Sequence, residues 1–220
     1  MDTDLGFTNG TKTIAAFVIV AYAMSVALSL IVGLTGGYQS PLIGLQLLSM
    51  FIPALAVLAV RPLPGGTLTL DWHRLSWTYL PVEIGWRAWL LPRLQTRVGP
   101  RRAVIITSAV WAAWHVPFQL SGVQHIDGVA PVILALTLPI GPFGAGLVIG
   151  WLWLRTESIW IVSLAHGAFN NWGQYAFKYM QFVQAPGMVV VGAGSLAVVV
   201  VGVLLLTFAM SSLAPHLETA

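Results

Sequence analysis

The chain alternates long apolar runs with short polar segments, and the runs have the length of membrane-spanning helices. A helix needs about 20 predominantly apolar residues to cross the hydrocarbon core of a bilayer. Because lipid offers no partner for backbone polar groups, each run must satisfy its own hydrogen bonds as an α-helix. Six runs meet this condition: Thr13 to Leu34, Pro41 to Val60, Ala103 to Leu120, Val129 to Leu154, Ser158 to Phe177, and Met188 to Met210.

A seventh apolar segment, Trp77 to Leu94, is shorter and carries Glu83, Arg87 and Arg93. Ionisable side chains in membrane segments almost always face the bundle interior. This segment is therefore predicted to be an embedded helix that packs inside the bundle or lies near one face. The predicted fold is an all-α polytopic transmembrane bundle, with about six spanning helices plus this shorter helix. Residues 1–220 form a single membrane domain in this interpretation.

Composition supports the membrane assignment. Only 8% of the residues are charged and 57% are hydrophobic, with a mean hydropathy of +0.84. A soluble domain carries about 25% charged residues, so this chain has too few to cover a water-facing surface. The absence of Cys excludes disulfides and a thiol nucleophile. The net charge is +3, and the bases lie beside the apolar runs, which favours membrane topology over nucleic-acid binding.

The basic residues also predict an orientation. If the N-terminus is cytoplasmic and the segment Trp77 to Leu94 does not cross, only Lys178 falls outside. That bias agrees with the positive-inside rule, so we expect a multi-pass protein of the cell membrane with a cytoplasmic N-terminus. The bases predicted to be cytoplasmic are Lys12, Arg61, Arg74, Arg97, Arg101, Arg102 and Arg155.

Glu83 and Arg87 are the first charged residues that the apolar segments enclose. Spaced i, i+4, they share one helix face. One interpretation is an internal ion pair that holds this helix in the bundle. The other is functional: Glu83 is a general base or a metal ligand, and Arg87 orients it.

His115 lies at the end of a predicted span, in the sequence WAAWHVPF, two residues before Pro117. Proline must kink or end the helix there, which frees backbone carbonyls and gives the imidazole room. The alternative is an interfacial histidine beside a belt of aromatic residues.

His166 and Asn170 are also spaced i, i+4, in the sequence SLAHGAFNNW, and Ser163 and Gln174 extend their face. This polar stripe either makes hydrogen bonds between helices, with Gly167 allowing close approach, or contributes to a functional site. The other histidines and one aspartate lie in predicted loops or the tail and are interpreted as solvated: His73, His125, His216 and Asp127.

Glu83, His115 and the pair His166–Asn170 lie on three separate helices, which a bundle can bring to one point. A carboxylate, two imidazoles and a carboxamide suit hydrolysis, because they supply a base for water, donors for an oxyanion and an orienting amide. One Glu and two His equally suit a catalytic Zn²⁺ with an open fourth position. Spacing does not choose between the two, so zinc stays open as a cofactor, with Glu83, His115 and His166 as its candidate ligands.

The ordered segments EIGWRAWLLPRLQ, WAAWHVPF and LRTESIWIVSLAHGAFNNW resemble the three signature regions of the CAAX protease and bacteriocin-processing family, also called the Abi family. The family pattern runs EExxxR, then FxxxH, then HxxxN or HxxxD, and the similar core covers about residues 78–178. The resemblance implies an intramembrane endopeptidase. Its partners would be membrane lipids and a hydrophobic or lipid-anchored peptide or protein, with no nucleic acid. By position, the family's functional residues correspond to Glu83, His115, His166 and Asn170, with Arg87 orienting the site.

The first motif departs from the family pattern at Val82. The family has two adjacent Glu residues there. The first of them activates water, while the His and Asn residues support the attacked carbonyl. Here Val82 stands at that first position and only Glu83 remains. We therefore expect either an endopeptidase with reduced activity or a relative that binds a peptide or partner helix as an immunity or scaffold protein. A transporter is disfavoured, because the chain has no repeated half with matching broken helices.

Overall fold

The computed structural model describes residues 2–37, 40–66, 80–122, 136, 139–180 and 187–209, and every element in these ranges is helical. In chain order the described α-helices are α1 (Asp2–Leu34), α2 (Ile52–Val60), α3 (Leu80–Glu83), α4 (Leu91–Val98), α5 (Pro100–Trp114), α6 (Val116–Gly122), α7 (Ile140–Thr156), α8 (Ile159–Met180) and α9 (Gly187–Leu204). The segment Ile43–Phe51, before α2, is a 3-10 helix. Two segments are π-helical: Ile84–Leu90, directly after α3, and Leu205–Ala209, directly after α9.

Helix α1 contains the clearest membrane-spanning segment. Its portion Gly10–Leu34 is long and apolar enough to cross a bilayer, the one such helix in the described ranges. Ile19 and Leu34 are 66% and 85% exposed, as side chains that face lipid would be. The helix also extends through the polar N-terminal stretch to Asp2, well before the apolar run predicted from Thr13.

The other predicted spans are helical over most of their described residues but differ in their limits. Three apolar helical stretches in the described ranges are shorter than a bilayer crossing: Leu47–Val60, Ile159–Asn170 and Leu196–Thr207. The run predicted from Val129 contains α7, which begins at Ile140 directly after Pro139, while residues 129–135 and 137–138 lie outside the described ranges. Pro142 then lies in the first turn of α7, where proline is tolerated. The count of six spans stays a prediction.

Several residues of the sequence analysis lie outside the described ranges. These are His73, Arg74, His125, Asp127 and His216.

The segment that contains Glu83 and Arg87 forms one continuous helical stretch from Leu80 to Val98, which we call the motif helix. Its middle part is a π-helix. Pro92 lacks the N–H that would bond the carbonyl four residues earlier, and its ring crowds that carbonyl. A π-helical turn accommodates such a break, and the Leu91 N–H accordingly donates to the Trp86 carbonyl. The segment predicted over Trp77 to Leu94 is thus confirmed as helical in its described part and extends to Val98, and its placement as an embedded helix stays a prediction.

Gly85 lets the motif helix press against Pro53 in the first turn of α2. A Cβ atom at Gly85 would lie 2.5 Å from the Pro53 Cβ and 2.8 Å from the Pro53 carbonyl oxygen. We predict that Gly85→Ala lowers the free energy of unfolding by about 1–3 kcal/mol through overpacking, measured by thermal unfolding in detergent. Gly44→Ala is the matched control, because nothing lies within 4 Å of a Cβ at that position. Equal melting temperatures for the two variants would contradict the close approach.

Glycines of α7 allow close packing on α5, the helix that ends at the predicted site histidine. A Cβ at Gly146 would lie 2.8 Å from the Ser108 Cβ, and one at Gly150 would lie 2.7 Å from Val104 Cγ1. Small residues at such contacts are typical of helix packing in membranes. The two helices run antiparallel, because the later glycine of α7 meets the earlier residue of α5.

Arg93 and Thr13 fix the loop after α2 against the motif helix and α1. Arg93 donates to the Gly65 carbonyl from Nε at 3.0 Å and from Nη2 at 2.9 Å. Thr13 Oγ1 donates to the Pro64 carbonyl at 2.7 Å. The end of the motif helix, the start of the apolar part of α1 and this loop therefore meet at one end of the bundle.

Candidate active site

Glu83 and His166 meet directly, although they lie on α3 and α8, far apart in the chain. The His166 Nδ1 donates to Glu83 Oε1 at 2.6 Å. Both residues are buried: Glu83 is 0% exposed and His166 is 4% exposed. A buried carboxylate needs such a charge-assisted partner, because desolvation without one is costly. The structure therefore places the first and third motifs in one polar cluster.

Arg87 lies on the other side of the same carboxylate. Its Nε is 3.3 Å from Glu83 Oε2, and its side chain is 1% exposed. The distance is that of an ion pair, yet neither atom has a hydrogen-bond partner in the described residues. The N–H therefore does not point at the oxygen, and we treat the contact as electrostatic attraction. Glu83 Oε2 keeps its lone pairs for another donor.

The break at His115 frees the backbone carbonyl of Trp111. In a regular helix that carbonyl would accept the N–H four residues later, but the His115 N–H instead donates to the Ala112 carbonyl at 3.1 Å. Helix α5 ends at Trp114 and α6 begins at Val116. The kink predicted from Pro117 is confirmed.

The freed carbonyl fixes the tautomer of His115. The His115 Nδ1 lies 2.7 Å from the Trp111 carbonyl oxygen. A carbonyl can only accept, so Nδ1 carries the hydrogen and, in the neutral ring, Nε2 carries the lone pair. His115 is partly exposed, whereas Glu83 and Arg87 are fully buried. Access to the cluster is therefore most open on the His115 side.

The Trp111 indole is the shared contact of the cluster. Its ring centroid lies 4.7 Å from that of His115 and 5.1 Å from that of His166, both at right angles. The Arg87 guanidinium carbon lies 4.5 Å above the ring. This role of Trp111 was not predicted from the sequence. Its signal was the i, i+4 spacing of Trp111 and His115, which places both on one helix face.

Helix α8 adds further polar groups near His166. Ser163, one turn earlier, is buried, and its hydroxyl has no hydrogen-bond partner in the described residues. Asn170 lies one turn later and is partly exposed. The placement of Asn170 in the site stays a prediction, and the side chain of Gln174 lies outside the described residues.

Val82, beside Glu83, belongs to the apolar core. It is 2% exposed and lies in a cluster with Phe17, Trp86 and Trp111. In the described part of the chain, both ion pairs of the site use Glu83 as their acid. The site thus has one carboxylate where the family pattern has two.

The geometry gives little support to a zinc site. The described residues contain no group of three or more His, Asp or Glu side chains placed to hold a metal ion. The oxygens of Glu83 face His166 Nδ1 and Arg87 Nε instead. Zinc, with Glu83, His115 and His166 as its candidate ligands, stays a prediction.

The residues of this cluster fall within a stretch that matches a known family. Residues 77–172 match the family described as type II CAAX prenyl endopeptidase, Rce1-like. The match covers less than half of the chain and supports a relationship of this stretch to the CAAX protease family. No curated protein and no solved structure matches the chain.

The match confirms the resemblance that the three motifs carry. CAAX proteases are membrane-embedded proteases, so the family accounts both for the apolar composition and for the polar cluster inside it. The matched stretch includes every predicted site residue, from Glu83 to Asn170.

Proposed function

We propose that the chain is a multi-pass membrane endopeptidase that hydrolyses a peptide bond in a hydrophobic or lipid-anchored substrate. The buried hydrogen bond between Glu83 and His166, beside the indole that both imidazoles contact, carries the proposal. A carboxylate oriented by one imidazole and close to a second suits the activation of water. The family match supports the reaction class.

The proposed chemistry follows from the hydrogen bonds of Glu83 and His115. His166 holds Glu83 Oε1, and Oε2 is left to accept a proton from water. The water oxygen then bonds to the peptide carbonyl carbon, and the carbonyl electrons move onto its oxygen. When that intermediate collapses, the C–N bond breaks and Glu83 returns the proton to the leaving amine. His115 Nε2, an acceptor in the neutral ring, helps to orient the water.

The distribution of bases supports a membrane orientation with the N-terminus in the cytoplasm. Arg97 contacts Thr11, and Arg93 contacts the loop after α2, so these segments share one end of the bundle. Helix α5 starts at that end, and the antiparallel α7 returns to it. The exposed bases there are Lys12, Arg61, Arg101, Arg102 and Arg155.

A second function is favoured by one observation, the apolar side chain of Val82 at the family's first Glu position. In that case the cluster would bind a peptide or a partner helix without cleaving it, in the manner of an immunity or scaffold protein. The two functions differ in one measurable product. Incubation with a membrane-anchored reporter peptide gives fragments in the first case and only a complex in the second.

Two substitutions of His115 test the enzymatic proposal. Asn can keep the donor to the Trp111 carbonyl while removing Nε2, and Gln can keep a group at the Nε2 position while losing the Nδ1 donor. We expect His115→Asn to fold normally and to lower reporter cleavage in lipid vesicles by about 10²-fold or more, since a positioned group of this kind contributes 10²–10⁴-fold. Mass spectrometry of the fragments gives the rate, and thermal unfolding gives the folded fraction. Wild-type turnover in His115→Asn would remove Nε2 from the mechanism.

A further inference from the structure

Arg87 has more hydrogen-bond donors than the protein uses. Its Nη1 and Nη2 are buried and have no hydrogen-bond partner in the described residues. Its one ion-pair partner among the described residues, Glu83, faces Nε. Donors buried without partners cost free energy, so each calls for an explanation.

The unused donors belong to the cluster that carries the proposed chemistry. The guanidinium lies over the Trp111 ring, which also contacts His115 and His166. Nη1 and Nη2 branch from the same carbon as Nε, and Nε is 3.3 Å from the oxygen proposed to receive the proton. An anion bound by the Nη groups would therefore lie beside the carboxylate that the proposed mechanism uses as its base. In that mechanism the oxygen of the attacked carbonyl becomes such an anion when water adds.

We propose that Arg87 is a catalytic residue whose Nη1 and Nη2 groups donate to the oxyanion that forms on the attacked carbonyl. This inference rests on the proposed peptide hydrolysis. When water adds, the π electrons of the carbonyl move to oxygen, and that oxygen becomes the acceptor that the Nη groups lack. When the intermediate collapses, the electrons return, the C–N bond breaks, and the donors are released. Fixed donors in a buried site stabilise such charge far more than water does.

The absence of a carboxylate at Val82 bears on this role. A second carboxylate beside Glu83 would offer Arg87 another anionic acceptor. Val82 is apolar and 2% exposed, so it cannot accept a hydrogen bond from Arg87. The Nη1 and Nη2 groups therefore stay available for the oxygen of the attacked carbonyl. Arg87 thus partly compensates for the missing base by stabilising the product of water attack.

Two uncleavable analogues of the reporter peptide test the proposal. A phosphonamidate carries tetrahedral anionic oxygens at the scissile position, and a reduced amide carries no oxygen there. We expect the wild-type protein to bind the phosphonamidate at least about tenfold more tightly, and Arg87→Lys to lose most of that preference, because Lys lacks the planar fork. The same variant should lower kcat with little change in KM. Arg93→Lys is the matched control, since Arg93 bonds the Gly65 carbonyl outside the cluster.

The outcomes separate this inference from the proposed function. If Arg87→Lys binds the phosphonamidate as tightly as the wild type and keeps its kcat, the oxyanion role is wrong and the protease proposal stands. If the wild type neither cleaves the peptide nor prefers the phosphonamidate, both fail. Should Arg87→Lys not fold, the Nη–H resonances of Arg87 in the wild-type protein decide. They must move with the phosphonamidate and stay in place with the reduced amide.

Discussion

Replacing Glu83 with Gln should lower the rate of peptide cleavage by about 10²–10⁴-fold, the contribution of a positioned general base. Gln keeps the shape of the side chain and can still accept the hydrogen bond from His166 Nδ1. In the wild-type protein this hydrogen bond to Glu83 Oε1 is 2.6 Å long. It cannot take a proton from water. Cleavage of a membrane-anchored reporter peptide in vesicles, expressed per folded molecule, gives the effect. The assay must run below the melting transition of the variant, because Arg87 loses its counter-charge.

The complementary change, Val82→Glu, should raise cleavage, because it restores a carboxylate where the family pattern has its base. Val82→Gln is the matched control, with the same added size and no charge at a position that is 2% exposed. Turnover in the wild type equal to that of Val82→Glu would show that Val82 is no lesion. Glu83 would then be the only base that the mechanism needs.

Arg87→Ala should lower the free energy of unfolding by roughly 3–5 kcal/mol, because it leaves a buried carboxylate without its counter-charge. Both side chains of the pair are essentially unexposed, so water cannot replace Arg87 in stabilising the charge of Glu83. Thermal or denaturant unfolding in detergent measures the loss. Reduced activity of this variant would mainly report unfolded protein, and for that reason the catalytic role of Arg87 is tested with Lys.

A double variant separates the ion pair from the bulk of the side chains. Replacing both partners of a buried pair by residues of similar volume is often neutral or stabilising. Glu83→Gln combined with Arg87→Met should therefore recover most of the stability that Arg87→Ala loses. A melting temperature of Arg87→Ala equal to that of the wild type would instead show that the pair is peripheral to folding.

The helical architecture was predictable because apolar runs in a membrane leave the backbone one choice, while the limits of the helices depend on local chemistry. Pro117 predicted an interruption of the helix near His115, and the helix is interrupted at that residue. The π-helical turn was missed, because it depends on how Pro92 redistributes backbone hydrogen bonds. Proline signals a disturbance, but the sequence does not show whether the helix ends, kinks or widens.

The site was predictable as a set of costly polar groups and not as a geometry. Glu83 and His166 lie in contact because each supplies the hydrogen-bond partner that the other needs when it is buried. Lipid offers no such partner to a carboxylate or an imidazole. The role of Trp111 could not be recognised from the sequence, since the chain has 10 Trp residues and others, such as Trp86 and Trp89, lie buried in the core. Spacing placed Arg87 beside Glu83 but could not show that Nε, and not the Nη fork, faces the carboxylate.

Pro117 makes the backbone a determinant of acid–base chemistry. The proline interrupts the helix, the interruption releases the Trp111 carbonyl, and that carbonyl decides which nitrogen of His115 holds the hydrogen. A residue that touches no proton in the reaction thus selects the nitrogen that can receive one. Changes in the kink offer evolution a way to adjust the reactivity of this histidine while every polar side chain of the site stays the same.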